Sequence, residues 1–334
     1  MRNLGKLAVL GITALGLALA GPQDNSLVIG ASQEPRVLAG DFLSVISNQA
    51  IKSEIEQYLF APFIGFNADS QNFPVLATEV PALENGRLRV TDIGGGKKRL
   101  EMDITIRPDA KWSDGRPITT EDVAFYFEVG KAKGMPVLNP DFWERVNVRI
   151  KDARNFTLIF EPAYYYDTYG PINTYAPKHI MGPEWERVKA AARGLDPQKD
   201  AEKLNELYRN FFIKFSTPQA LNRGAMVYSG PFMLRRWVPG NSIEMVRNPN
   251  FPIKPEGGES KYVQKVVYRF IQNTNSLLVA VIGGSIDATS SVSLTFDQGR
   301  SPQLVRRAPG RFDIWFVPGA IWEHIDINKF ENCQ

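Results

Sequence analysis

Few side chains in this chain are equipped for catalysis. Its 334 residues include two histidines, His179 and His324, and a single cysteine, Cys333. One cysteine cannot close a disulfide within the chain, and no thiolate spacing suited to zinc is present. A Ser-His-Asp hydrolase places its nucleophile in a Gly-x-Ser-x-Gly turn, which is missing here. Asp114, Glu121 and Asp122 are candidates by type for a carboxylate pair of the glycosidase kind. Their setting points elsewhere: Asp114-Gly115 is turn chemistry, and Glu121-Asp122 fall in a first helical turn, where negative charge meets the helix dipole. Gly94-Gly95-Gly96-Lys97 invites a phosphate-loop reading. That motif needs Gly at 91 and Ser or Thr at 98, and the sequence has Thr91 and Lys98. His179 and His324 are read as surface or packing residues, although Glu323 and Asp326 flank the latter. Tyr164, Tyr165, Tyr166 and Tyr169 cluster in a loop-like stretch and either line a cleft or pack between lobes. No catalytic, cofactor or metal site is expected.

The elements that must position these residues alternate between strands and helices. Ser26 to Ala31 reads as a buried strand, and Ile51, Ile55 and Leu59 form one helical face closed by Pro62. Arg87 to Ile93 and Arg99 to Ile106 alternate apolar and polar residues around the triple glycine, the pattern of a hairpin. Thr119 is expected to cap a helix, with Asp122 three residues on. Asn155 to Glu161 reads as a strand. Pro183 is placed at the first helical position before Glu184 to Arg193. A longer helix is expected from Asp196-Pro197, with Leu204, Leu207, Tyr208, Phe211 and Phe215 on its apolar face, ending at Pro218. A second hairpin joins Phe232–Trp237 to Ile243–Arg247. Lys265–Ile271 reads as a strand, Thr274 opens a helix stopped by Gly283-Gly284, Ile286-Asp287-Ala288 begin another strand, and Phe312–Val317 reads as one more. Interspersed elements of both kinds favour a mixed α/β architecture.

The N-terminus carries Arg2 and Lys6, then 14 residues without charge from Leu7 to Ala20, then Pro22. With Ala18 and Ala20 at the peptidase positions, this is the layout of a secretory signal peptide, residues 1–20. The run is shorter than the ~20 residues a membrane span needs. No cysteine follows it, so a lipid anchor is not indicated. An exported protein, periplasmic or otherwise extracytoplasmic, is expected. With 39 basic against 36 acidic residues the formal charge is +3, and no basic patch calls for nucleic acid.

The run Trp112–Glu128, WSDGRPITTEDVAFYFE, closely resembles the signature of the family 5 extracellular solute-binding proteins, which include the oligopeptide- and dipeptide-binding proteins of bacterial ABC importers. Trp112, Asp114-Gly115, Pro117, Thr119 and Asp122-Val123 match it in order. Tyr228-Ser229-Gly230-Pro231-Phe232, Trp237, Pro239-Gly240 and Arg247–Phe251 resemble a second block, and Gly283–Asp287 a third. Leu76-Ala77, Ala176–Ile180 and Ile327-Asn328 fit as well. Trp112, Thr119 and Asp122 are read as scaffold, not ligand contacts.

The resemblance implies a two-lobe, periplasmic-binding-protein-like α/β fold of type II. Lobe I would run over residues 21–270 with an extra subdomain at about 50–190. Lobe II would begin at 271 and be incomplete at 334, with the junction near Tyr268–Asn273. It implies capture, not conversion: a peptide or other small solute enclosed by hinged lobes and delivered to an importer permease by a monomer. By resemblance Ser32, Gln33 and Glu34 fall at the cleft, with Glu34 facing a ligand amine. Tyr228, Ser229 and Trp322 are the other expected ligand contacts. A secreted carboxylate-dependent hydrolase, a non-functional fragment, and a binder of nickel or sugars are the alternatives. Two histidines and one terminal cysteine disfavour nickel.

Overall fold

The computed structural model describes residues 25–67, 69, 71–164, 167, 176–254, 257–258 and 262–316. The expected signal peptide, Tyr165, Tyr166, Tyr169, Trp322, His324, Ile327-Asn328 and Cys333 lie outside them. The chain forms two compact units, Met1–Ser293 and Leu294–Gln334.

The first unit is built on a five-stranded sheet ordered β11-β1-β10-β9-β8. Strand β1 (Ser26–Ala31) is almost wholly buried, as its unbroken apolar run requires of a strand flanked by parallel neighbours. On one side it pairs parallel with β10 (Lys265–Phe270), Ser26 opposite Lys265 and Ala31 opposite Phe270. On the other it pairs with β11 (Ala288–Thr289), also parallel. Strands β8 (Phe232–Val238) and β9 (Ser242–Arg247) form the expected antiparallel hairpin and extend the sheet through β10. Helix α1 (Ala50–Leu59) buries Ile51, Ile55 and Leu59 and lies against β8. A small hairpin follows, β2 (Ile64–Phe66) with β3 (Asn72–Pro74).

A four-stranded antiparallel sheet forms within the span expected to be a subdomain. Its order is β4-β5-β7-β6: β4 (Leu88–Gly94), β5 (Lys97–Thr105), β6 (Val146–Ile150) and β7 (Asn155–Phe160). Gly94, Gly95 and Gly96 all have positive φ (86°, 59° and 73°), so the triple glycine is the tip of the β4–β5 hairpin. Helix α2 (Thr120–Gly130) starts with a complete capping box between Thr119 and Asp122 and packs against β6. Helix α3 (Pro140–Arg145) precedes β6, and α4 (Lys178–Ala192) packs against α2 and α5 (Ala201–Ser216). Short α6 (Pro218–Asn222) leads back to β8. One hydrophobic core runs through both sheets, with Trp112, Trp185, Trp237 and Tyr268 among its largest fully buried side chains.

Three expectations are corrected. Helix α4 begins at Lys178, with Pro183 inside it. The proline forfeits one backbone bond, but burial of Met181, Trp185 and Val188 on one face carries the helix through. Helix α5 begins at Ala201, not Asp196. The Asp196 carboxylate instead accepts from the Gln198 and Lys199 amides, and Asp200 accepts from the Asp196 amide, local bonds that compete with a helical turn. Residues 312–316 form no strand.

The first compact unit continues past β10 to Ser293. Helix α7 (Thr274–Gly283) and β11 return to β1: the Asp287 amide donates to the Val28 carbonyl, the Val28 amide to the Asp287 carboxylate, and the Ser290 amide to the Gly30 carbonyl. The second unit holds α8 (Phe296–Gly299), capped reciprocally by Thr295 and Gln298, and α9 (Pro302–Val305). There Phe296 packs edge-on against Phe316, and Trp315 is 82 % exposed.

Candidate ligand-binding edge

Strand direction decides which loops can share a site. β1, β10, β11 and β8 all run the same way, so their carboxyl ends form one edge of the sheet. Ser32–Glu34 leave β1 there, and Pro239–Asn241 turn from β8 to β9 there. Ile271–Asn273 and Ser290–Ser293 leave β10 and β11 at the same edge. Ligands of open α/β sheets gather outside such carboxyl ends.

At this edge Gln33 is exposed. The Ser32 hydroxyl donates to the Val292 carbonyl at 2.5 Å and the Ser293 hydroxyl to the Gly30 carbonyl at 2.8 Å. Glu34 is already engaged within the first compact unit. One carboxylate oxygen accepts the Trp237 indole N–H at 2.7 Å, and the other the Gly240 amide at 2.8 Å. The carboxylate therefore ties the β1 exit to the β8–β9 turn, and a ligand amine would have to compete with both donors.

Tyr228 and Ser229 lie elsewhere. They precede the amino end of β8, at the opposite edge of the sheet from Ser32–Glu34. Ser229 is fully buried, and its hydroxyl oxygen accepts the Ala61 amide at 3.2 Å. The Tyr228 backbone exchanges two hydrogen bonds with Ser113, and its ring packs on Phe60. Burial raises the Tyr228 phenol well above its ordinary range. The structure thus keeps Ser32, Gln33 and Glu34 together and separates Tyr228 and Ser229 from them.

The long loop from Ser32 to Gln49 is held by a buried charge cluster for which the sequence offers no local motif. The Lys52 ammonium donates to the Asp41 carbonyl at 2.8 Å and stands 3.7 Å from the Asp41 carboxylate and 3.6 Å from Glu56. The Asp41 carboxylate accepts the Ile46 and Ser47 amides, and Glu56 accepts the Ala39 amide. Burial raises both carboxyls, Glu56 to about 7, against the pull of Lys52. Tyr58, Tyr268 and Glu54 make a second polar cluster. The Tyr268 hydroxyl donates to Glu54 at 2.9 Å, and its phenol is raised by burial, with Tyr58 and Glu54 adding to the effect.

In the subdomain, Asp122 joins three segments. Its carboxylate accepts the Thr119 amide (3.0 Å), the Trp112 indole N–H (3.2 Å) and the Lys178 amide (2.9 Å). His179 sits 2.8 Å from Asp114 through Nε2. No cluster of three His, Cys, Asp or Glu side chains suited to a metal occurs among the described residues. No described helix is long and apolar enough to cross a membrane.

A mixed sheet with one shared carboxyl edge and an inserted α/β subdomain is the architecture of a periplasmic-binding-protein-like lobe. The chain belongs to the bacterial extracellular solute-binding proteins, family 5, whose middle-region model matches residues 97–320. The oligopeptide-binding protein of Thermus thermophilus, solved with a pentapeptide, is 97 % identical and superposes with a TM-score of 0.92. That match covers 94 % of this chain and 52 % of that one. The oligopeptide-binding protein AppA of Bacillus subtilis is 23 % identical over 270 residues, 79 % of this chain and 40 % of its own. A probable ABC transporter-binding protein of Deinococcus radiodurans is 27 % identical over 203 residues, 58 % of this chain and 30 % of its own. The chain thus spans about half of the solved Thermus protein and less than half of these curated relatives.

Proposed function

We propose that this chain is the first lobe, and the start of the second, of an extracytoplasmic solute-binding protein that captures peptides for an ABC importer. The observation that carries the reading is the 97 % identity, over 94 % of the chain, to an oligopeptide-binding protein solved with a pentapeptide. Ser32 and Gln33 supply the lobe's ligand-facing edge, while Glu34 positions that edge through Trp237 and Gly240. Peptide held along its backbone beside such an edge gains affinity without a demand on side-chain identity. The protein binds and does not convert, and its partner is the importer's membrane permease.

Titration calorimetry with unrelated pentapeptides, followed by mass spectrometry of the recovered peptides, tests this. Saturable binding with intact peptide is expected. Cleaved peptide would replace capture with hydrolysis, and a chain that takes no peptide would refute the reading.

A further inference from the structure

Glu54 lies in the second turn of α1, on a helix otherwise devoted to core packing and the Lys52 cluster. Its carboxylate collects four hydrogen bonds from distant parts of the chain. Oε1 accepts the Tyr268 hydroxyl from β10 at 2.9 Å. Oε2 accepts the Ser290 hydroxyl at 2.9 Å, the Ser291 amide at 3.1 Å and the Ser291 hydroxyl at 2.6 Å. Ser290 and Ser291 follow β11 directly, and the first compact unit ends two residues later, at Ser293. The same short stretch is also held by Ser32, Ser293 and the Ser290 amide, all bonded to or around the end of β1. β11 is only two residues long, too short to secure the next residues by its ladder alone.

We propose that Glu54 is a positioning residue, a latch that clamps Ser290 and Ser291 onto α1 and so fixes the place where the chain leaves the first unit. The proposal rests on the capture reading, because a hinged binder needs its crossing segment anchored while the lobes move. A carboxylate suits this role because it accepts from every side and donates to none, and all four partners are donors. Charge strengthens each bond. Glu54→Ala removes the acceptor. Glu54→Gln keeps one acceptor oxygen for the serines and turns its NH₂ toward the Tyr268 oxygen, which can accept. The glutamine is therefore the conservative rescue.

Amide hydrogen exchange on the whole chain, with and without a pentapeptide, tests this. In Glu54→Ala, exchange at Ser291 and Val292 speeds up about tenfold or more, in line with the loss of charge-assisted bonds. Amides of α5 keep their protection, and the pentapeptide dissociates faster. Glu54→Gln stays within about threefold of the parent at the same amides. Unchanged exchange at Ser291 in Glu54→Ala overturns the latch, and so does faster exchange with unaltered peptide dissociation. A parent chain that binds no pentapeptide overturns the capture reading, and with it the latch's part in capture. Parent binding with unaltered exchange in Glu54→Ala overturns the latch alone.

Discussion

Gly230 is expected to tolerate no side chain, and the reason is space. It stands between Ser229 and β8 where α1 ends. A Cβ there would lie 2.5 Å from the Leu59 carbonyl carbon, 2.6 Å from the Phe60 nitrogen and 2.6 Å from the Tyr58 oxygen. All three are backbone atoms, so no side chain can swing aside. Relief requires the end of α1 to move away. That movement would break the Gly230 amide bond to the Leu59 carbonyl (2.8 Å) and stretch the Ser229–Ala61 bond. Overpacking costs about 1–3 kcal/mol, and two weakened hydrogen bonds add about 1–2 kcal/mol. The stiffer unfolded chain returns about 0.4–1 kcal/mol. Gly230→Ala should therefore destabilise by about 2–4 kcal/mol, a fall in Tm of roughly 3–7 °C for a unit of this size. Gly240→Ala is the control. Gly240 has φ of 73° and open space around its would-be Cβ, so its cost is the left-handed backbone alone, about 1 kcal/mol. Thermal and urea unfolding of both variants decide the matter. A Gly230→Ala protein no less stable than Gly240→Ala would refute the steric argument.

Stability should respond to pH through Glu56. Burial holds its carboxyl near 7, against 4.5 ordinarily, so the native state keeps a proton that the unfolded chain has released. The unfolded state binds fewer protons across that window, and stability falls as pH rises from about 4.5 to about 7, by about 3 kcal/mol. Urea unfolding at about pH 5 and about pH 8 measures the slope. Glu56→Gln should flatten it, and parallel slopes in both proteins would assign it to other groups. Asp122→Ala should cost about 2–5 kcal/mol, because it removes the N3 half of the capping box and strands the Thr119 amide, the Trp112 indole and the Lys178 amide. Asp122→Asn, which keeps an acceptor, should cost clearly less in the same urea experiment.

The local rules of sequence reach far into this fold. Thr119 and Asp122 form the expected capping box, the triple glycine is a hairpin tip, and Gly284 ends α7 in the left-handed region. α3 is absent from the sequence expectations although Asn139-Pro140-Asp141 is a helix opening, and its Asn139 side chain does accept the Phe142 amide. β6 follows α3 without a turn residue, which hides its alternation. The site is less legible. Ser32–Glu34 fall on the carboxyl edge because any residue after β1 must. Tyr228 and Ser229 precede β8, and only the order and direction of strands, invisible in one sequence, show that this is the far edge. Glu54 carries no signal at all: its partners lie more than 200 positions away, and an acidic residue on an amphipathic helix reads as solvated.

The polar clusters without a sequence signature share a physical purpose. The loop from Ser32 to Gln49 carries the proposed ligand-facing residues yet contains no helix or strand. It also holds Ala39 and Ser44 in left-handed conformations, φ 63° and 55°, each costing about 1–2 kcal/mol. Something must select that conformation. Glu56 bonds the Ala39 amide and Lys52 bonds the Ser44 hydroxyl, so the buried charges act where the backbone is strained. Gly40 presses against Phe215, where an added Cβ would lie 2.4 Å from the Phe215 Cβ and 2.5–2.6 Å from its carbonyl group. A loop so determined loses little further freedom when it meets a ligand, and the entropic cost of binding is then mainly that of ordering the ligand. Peptides are long, flexible and costly to order. On the capture reading proposed above, a lobe gains most by fixing its own half of the contact beforehand, and in this chain Lys52 and Glu56 on α1 hold the loop in place.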